Sequence, residues 1–266
     1  MKGDNIREIV KLLNEKYNFR GLLHFTDFSN LNSIINIGYL LSRALCYAYS
    51  IEFFDVTNNN ETDYANDYVK FYFTEKNHEA LYNLRTPVYL LFSQELIGLD
   101  LSMLSNGAKE AAEIKRGLNF DFKKQTELLV AEPVSIKYLK NIIFRCETDY
   151  KRACNLYGKN KMYSIEPYMF YHEDNYIKDY NIFYDSLRHK DLFILHFNTN
   201  LPVKNNVNHE YKLYDLNGKF IRKARINFLE SSSTNFNLEV NKLPDQPVKF
   251  ELWFYGIKCI EETIGE

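Results

Sequence analysis

Apolar positions in the first 145 residues come in short bursts separated by polar, turn-rich stretches. Ile6, Ile9, Val10 and Leu13 recur at helical spacing. "GLLHFT" (21–26) then reads as a short strand. Asp27 or Ser29 is placed to cap a second helix that buries Leu31, Ile34 and Ile35, with Gly38 as its stop. The polar run "TNNNETDYANDY" reads as an exposed loop, and it leads into the aromatic strand "YVKFYF". "TEKNHEALYNL" predicts a short helix and "TPVYLLFS" a buried strand. Residues 104–125 are irregular and end at Glu127 on the apolar strand "TELLVAEPVS". A helix over "IKYLKN" and a strand over "IIFRC" follow. Short strands alternating with short helices predict a mixed α/β region.

After about Tyr171 the texture changes. "DLFILHFNTN", "HEYKLYDLNGKFIRKARINF", "TNFNLEV" and "QPVKFELWFYGIKCI" alternate apolar and polar residues, and Asn217-Gly218 is a strong hairpin signal. The pattern therefore divides the chain into residues 1–172 and a small β-rich accessory domain, 173–266. The expected class is α+β.

Composition alters this picture little. A 266-residue chain with 45% hydrophobic and 16% aromatic residues can bury one good core or two modest ones. Net charge is −2, so only local clusters carry information about partners. Cys46, Cys146, Cys154 and Cys259 have no metal-ligand spacing, and they read as buried thiols in a reducing compartment. No metal site is expected. No apolar run approaches the roughly 20 residues that span a bilayer, and the polar start "MKGDNIREIV" is unlike a signal peptide. A cytoplasmic location without membrane contact is the expectation. Neither GxGxxG nor GxxxxGK[ST] occurs, which removes the common nucleotide-binding loops.

Candidate chemistry begins where strand meets helix. His24 and Thr26 close the run "LLHFT", at a junction whose exposed amides suit phosphates and ribose hydroxyls; a satisfied core histidine is the competing reading. His24-x-Thr26 after a strand, "DFSNL", "DYVKFYF", and "KKQTELLV" with Glu127, in this order, resemble the DarT family of NAD-dependent ADP-ribosyltransferases that modify nucleic-acid bases. The tail "KNIIFRCETD" to "IEPYMFY" extends the resemblance over residues 18–172.

The resemblance implies a split-sheet ADP-ribosyltransferase fold with NAD as co-substrate, held between the strands of His24 and Glu127. His24 and Thr26 would bond NAD hydroxyls, Asn30 would fix the turn or touch NAD, and Tyr72 and Phe73 would wall the nicotinamide pocket. Glu127 would be the catalytic carboxylate. Breaking the nicotinamide–ribose bond builds oxocarbenium character, which a carboxylate aimed at the ribose stabilises. The competing readings are a solvated carboxylate at a strand start for Glu127 and ordinary sheet core for the two rings.

Many relatives carry an Arg in the loop before the aromatic strand, but "SIEFFDVTNNNETDYAN" has none. Either Arg43 or Lys76 substitutes, with His78 as a further candidate, or the chain belongs to a branch with different base chemistry. Residues 115–161 hold 11 Lys and Arg against 5 Asp and Glu, interleaved with aromatics, which suits a single strand with stacked bases. Lys115, Arg116, Lys123 and Lys124 are the candidate substrate contacts, against solvated helix faces. The implied acceptor is single-stranded DNA, with RNA as runner-up, and the implied role is a toxin or phage-defence effector with an antitoxin partner. A degenerate module that binds NAD or nucleic acid without chemistry is the alternative of a different class.

Overall fold

The computed structural model describes residues 10–15, 19–55, 64–74, 84–105, 127–170, 175–184, 192–203, 209–226, 233–241, 243 and 246–265. Packing divides the chain into two compact units, Met1–Ile143 with Tyr168–Phe170, and Phe144–Pro167 with Tyr171–Glu266. Residues 144–167 thus go with the second unit, earlier in the chain than the change of texture near residue 172.

In the first unit, helix α1 (10–15) buries Leu13. Strand β1 (Leu22–Asp27) follows Gly21, where φ is +149° and an added Cβ would lie 2.4 Å from the Phe92 carbonyl oxygen. Only glycine allows that approach. A 3-10 turn (Phe28–Asn30) leads into α2 (Leu31–Ile37), which buries Leu31 and Ile34. Gly38 ends α2 in the left-handed region at φ 77°, its N–H donating to the Ile34 carbonyl. Next come β2 (Tyr39–Leu40), α3 (Arg43–Ala48), β3 (Val69–Tyr72), β4 (Pro87–Phe92), β5 (Ser102–Ser105), β6 (Glu127–Val130), β7 (Val134–Ser135) and β8 (Leu139–Phe144). The expected helix over "IKYLKN" is a 3-10 turn, Ile136–Tyr138, and Leu139 to Asn141 join β8. The expected helix over 74–84 lies mostly outside the described residues.

The strands of this unit stand in the order β5-β6-β3-β1-β4-β8. Register fixes the two faces. Leu22 pairs with Phe92, His24 with Leu90, and Phe71 with Leu128, so these side chains share one face. Leu23, Tyr72, Tyr89, Leu91 and Ile143 form the core of the other, joined by Met169 and Phe170. β4 is buried along all six residues, as a central strand covered on both faces must be.

Among its described residues the second unit contains helix α4 (Glu147–Tyr157), β9 (Tyr163–Ile165) and seven longer strands. β10 (Ile177–Tyr184), β11 (Phe193–Thr199) and β14 (Asn235–Val240) form one sheet in the order β10-β11-β14. β12 (His209–Asp215), β13 (Phe220–Ile226), β15 (Val248–Phe254) and β16 (Ile257–Ile264) form another in the order β13-β12-β15-β16. Inward residues of both sheets share one core with Phe193, Phe197, Phe250 and Phe254. The hairpin signal at Asn217-Gly218 joins β12 to β13, with Asp215 Oδ1 accepting from the N–H groups of Asn217 and Lys219. The whole is an α+β fold with few, short helices. Cys146 and Cys259 are buried thiols, whereas Cys46 and Cys154 are only partly covered. Among the described residues no helix is long and apolar enough to cross a membrane.

Candidate active site

The ladder between β1 and β3 has one paired position, Leu23 with Tyr72, whereas β1 and β4 pair over six. Where that ladder stops, the Nδ1 of His24 meets the Lys70 carbonyl oxygen at 2.9 Å. A carbonyl only accepts, so Nδ1 carries the hydrogen and Nε2 of the neutral ring remains an acceptor. Burial pushes the His24 pKa down to about 4 against the pull of the Lys70 carbonyl, and the positive Arg43 lowers it further. The ring is neutral at physiological pH. Phe71 meets it edge-on at 6.0 Å.

Thr26 lies two residues on, on the same face of the strand, and is 7% exposed. Its Oγ1 accepts a hydrogen bond from Asn30 Nδ2 at 3.0 Å, which turns the hydroxyl hydrogen away from Asn30. Asp27 caps the turn between them: its Oδ1 accepts from the N–H (3.0 Å) and Oγ (2.7 Å) of Ser29, and its Oδ2 from the N–H of Thr86 (2.9 Å). Asp27 thus caps the 3-10 turn, with Ser29 as the capped residue, whereas the N-cap of α2 is Asn30, so neither of the two expected residues caps that helix.

Asn30 also reaches a segment that the sequence pattern leaves as plain loop, Ile51–Asp55. Its Nδ2 donates to the Phe54 carbonyl at 3.1 Å, and its Oδ1 accepts from the Phe54 N–H at 2.6 Å. Arg43 Nε pairs with Asp55 Oδ1 at 3.1 Å, and the Tyr47 hydroxyl donates to Asp55 Oδ2 at 3.0 Å. The Arg85 guanidinium covers the Phe54 ring at 4.9 Å, and that ring packs against the core cluster of Tyr72.

Glu127 heads β6, all four of whose residues are buried. At 9% exposure it is no solvated strand-start carboxylate. It is directly paired with Tyr72 on one side and Ser105 on the other. Tyr72 is buried and stacks on Phe25 with centroids 5.2 Å apart. Tyr72 and Glu127 therefore share the face of Leu23, whereas His24 and Thr26 point to the opposite face of β1; the single β1–β3 pair, Leu23 with Tyr72, is where the two strands meet. Phe73, past the end of β3, is buried with its ring 5.9 Å from Phe19. β5, which flanks Glu127, is not visible in the sequence pattern.

Lys115, Arg116, Lys123 and Lys124 lie outside the described residues, as do Lys76 and His78. Of the three candidates for the absent loop Arg, Arg43 is the described one, and its charge is felt at His24. Farther along the cationic stretch, in the second unit, several cations are engaged internally. Arg145 is buried, with Nε 2.5 Å from Asp149 Oδ2 and its guanidinium 4.5 Å over Tyr176. Lys151 and Arg152 donate to the Tyr180 and Lys258 carbonyls. Those three hold α4 and its surroundings together, which limits the candidate nucleic-acid track to cations elsewhere in 115–161.

Residues 23–89 match the family profile described as "ssDNA thymidine ADP-ribosyltransferase, DarT". Among solved structures, Thermosipho africanus DarTG in complex with ADP-ribose is similar at a TM-score of 0.50 and 17% identity. That alignment covers 61% of this chain and 53% of the other. Thermus sp. 2.9 DarT in complex with NAD+ gives a TM-score of 0.45 and 16% identity over 56% of this chain and 96% of that one. The same protein in complex with ADP-ribosylated ssDNA gives 0.41 and 16%, over 56% and 95%. A comparison with curated proteins gives no match.

Proposed function

We propose that this chain, which belongs to the DarT family through residues 23–89, takes ADP-ribose from NAD and transfers it to a base of single-stranded DNA. The observation that carries this reading is a buried Glu127 paired with Tyr72 of β3, the strand that stands between Glu127 and the β1 of His24 and Thr26 in the family-matched segment. His24 Nε2 accepts and Thr26 donates from one face of β1, which complements the paired hydroxyls of a ribose. Arg43, fixed by Asp55, adds positive potential beside them that suits the diphosphate. Tyr72 offers an apolar wall for nicotinamide.

Glu127 then works in a site with little water. As the C1′–N bond of NAD breaks, nicotinamide leaves with the bonding pair and the ribose gains positive character, which the carboxylate stabilises. A nucleophilic base atom forms the new bond to C1′, and Glu127 accepts the proton that this atom gives up. The family description names thymidine, whose ring N–H needs such a base at neutral pH. A paired base hides that edge, so the acceptor must be unstacked and single-stranded. Unchecked modification of a host's own single strands is damaging. This chemistry fits a toxin or phage-defence effector restrained by an antitoxin that blocks or reverses it.

The test is incubation with labelled NAD and separate pools of single-stranded DNA, duplex DNA, RNA and protein. Label on single-stranded DNA, with duplex far poorer, supports the reading. Label on RNA or protein instead, or NAD binding with no transfer to any pool, overturns the assigned acceptor or the assigned chemistry.

A further inference from the structure

We infer that Asn30 is a positioning residue and not an NAD ligand: its amide ties the Thr26 hydroxyl to the Phe54 segment and so couples the two halves of the site. The inference rests on the proposed NAD reading. Asn30 is the last residue of the 3-10 turn and the N-cap of α2, where asparagine ordinarily caps the helix through its side chain, yet it makes no side-chain cap bond. The amide is spent otherwise. Nδ2 donates to Thr26 Oγ1 and to the Phe54 carbonyl, which uses both of its hydrogens, and Oδ1 accepts from the Phe54 N–H at 2.6 Å. The residue is 9% exposed, so little of it is left to meet a ligand.

Each bond has a consequence for the site. The first directs the Thr26 hydroxyl hydrogen outward from the amide. The other two hold Phe54 in the reciprocal arrangement that one strand residue gives another, although Phe54 belongs to no strand. The Phe54 ring then packs on the cluster of Leu23 and Tyr72, and Tyr72 is the direct partner of Glu127. Contacts thus run from Thr26 through Asn30 and Phe54 to the wall beside Glu127. A capping role would affect α2 alone, whereas this arrangement affects NAD affinity through Thr26 and the Phe54 wall.

Asn30→Asp tests it, because the shape and the acceptor for the Phe54 N–H are kept while both donors are lost. Kinetics against NAD, with NAD binding measured by calorimetry, should show KM and Kd raised by roughly tenfold, the size of one lost hydrogen-bond arrangement, with kcat within about twofold. Adding Asn30→Asp to Thr26→Val should cost less than it costs in the wild type, because part of its effect is already gone. Asn30→Gln, with the same groups displaced by one methylene, should not rescue. Unchanged Kd and KM in Asn30→Asp, or fully additive losses, would overturn the inference. If the wild-type protein binds no NAD, the functional reading fails instead, and the two failures are told apart by that first titration.

Discussion

The Nδ1 of His24 donates to the Lys70 carbonyl oxygen at 2.9 Å, so a side chain takes the place of a ladder amide between β1 and β3. This bond sets the tautomer, and burial holds the ring neutral with a pKa of about 4. His209, buried in the second unit with Nδ1 accepting from the Tyr255 N–H, is pushed down to about 4 by the same cause. An unfolded histidine titrates near 6.5. Between about pH 6.5 and 4 the unfolded chain therefore binds protons that the folded chain does not, and stability falls as pH is lowered through that window. Urea midpoints measured from pH 7.5 to 5 should fall with acidity, and His24→Gln or His209→Gln should flatten the slope. A slope that neither substitution changes would contradict the assignment.

The neutral ring also predicts the kinetic role of His24. An acceptor for a ribose hydroxyl, remote from the breaking bond, contributes binding common to ground and transition states. His24→Ala should raise the KM for NAD and leave kcat nearly intact. Collapse of kcat at unchanged KM would refute this role.

The buried Arg145–Asp149 pair, with side chains 7% and 3% exposed, predicts a stability defect of known size. Removing one partner strands the other charge, which typically costs about 3–5 kcal/mol, so Asp149→Ala should lower the unfolding midpoint steeply. Replacing both together, Arg145→Met with Asp149→Leu, should recover much of the loss. A double variant no more stable than Asp149→Ala would argue against an electrostatic origin.

Much of this was legible in the sequence, for physical reasons that differ by element. β1 and α2 were visible because Leu22 to Thr26 form one apolar run, Leu31 and Ile34 repeat at helical spacing, and Gly38 meets its stop requirement. The Ile51–Asp55 segment was hidden because Phe53 and Phe54 obey neither period; it is held by side-chain bonds from Asn30 and Arg43, which no local pattern encodes. α4 escaped for another reason: its buried residues are Thr148, Asp149 and Ala153, two of them polar, so the side chains that anchor it are not the ones an apolar pattern marks. Glu127 was singled out by resemblance. Its burial against Tyr72 is a matter of register across strands more than fifty residues apart.

The substrate side is tested through salt. If Lys115, Arg116, Lys123 and Lys124 contact phosphates, binding of a fluorescent single-stranded oligonucleotide should weaken with salt at a log–log slope of about 0.7 per contact. Neutralising all four should flatten that slope and slow modification of long strands while sparing hydrolysis of NAD without acceptor. Equal slopes, with acceptor modification unaffected, would place the track elsewhere.

The account turns on Glu127, and Glu127→Gln is its most direct test, because it keeps the volume and the strand while removing the negative charge and the base. Transfer from labelled NAD to single-stranded DNA should drop by at least about 10²-fold, the lower end for removal of a general base, with NAD affinity and unfolding midpoint close to wild type. A Glu127→Gln protein that is folded, binds NAD and modifies DNA at the wild-type rate would contradict the account.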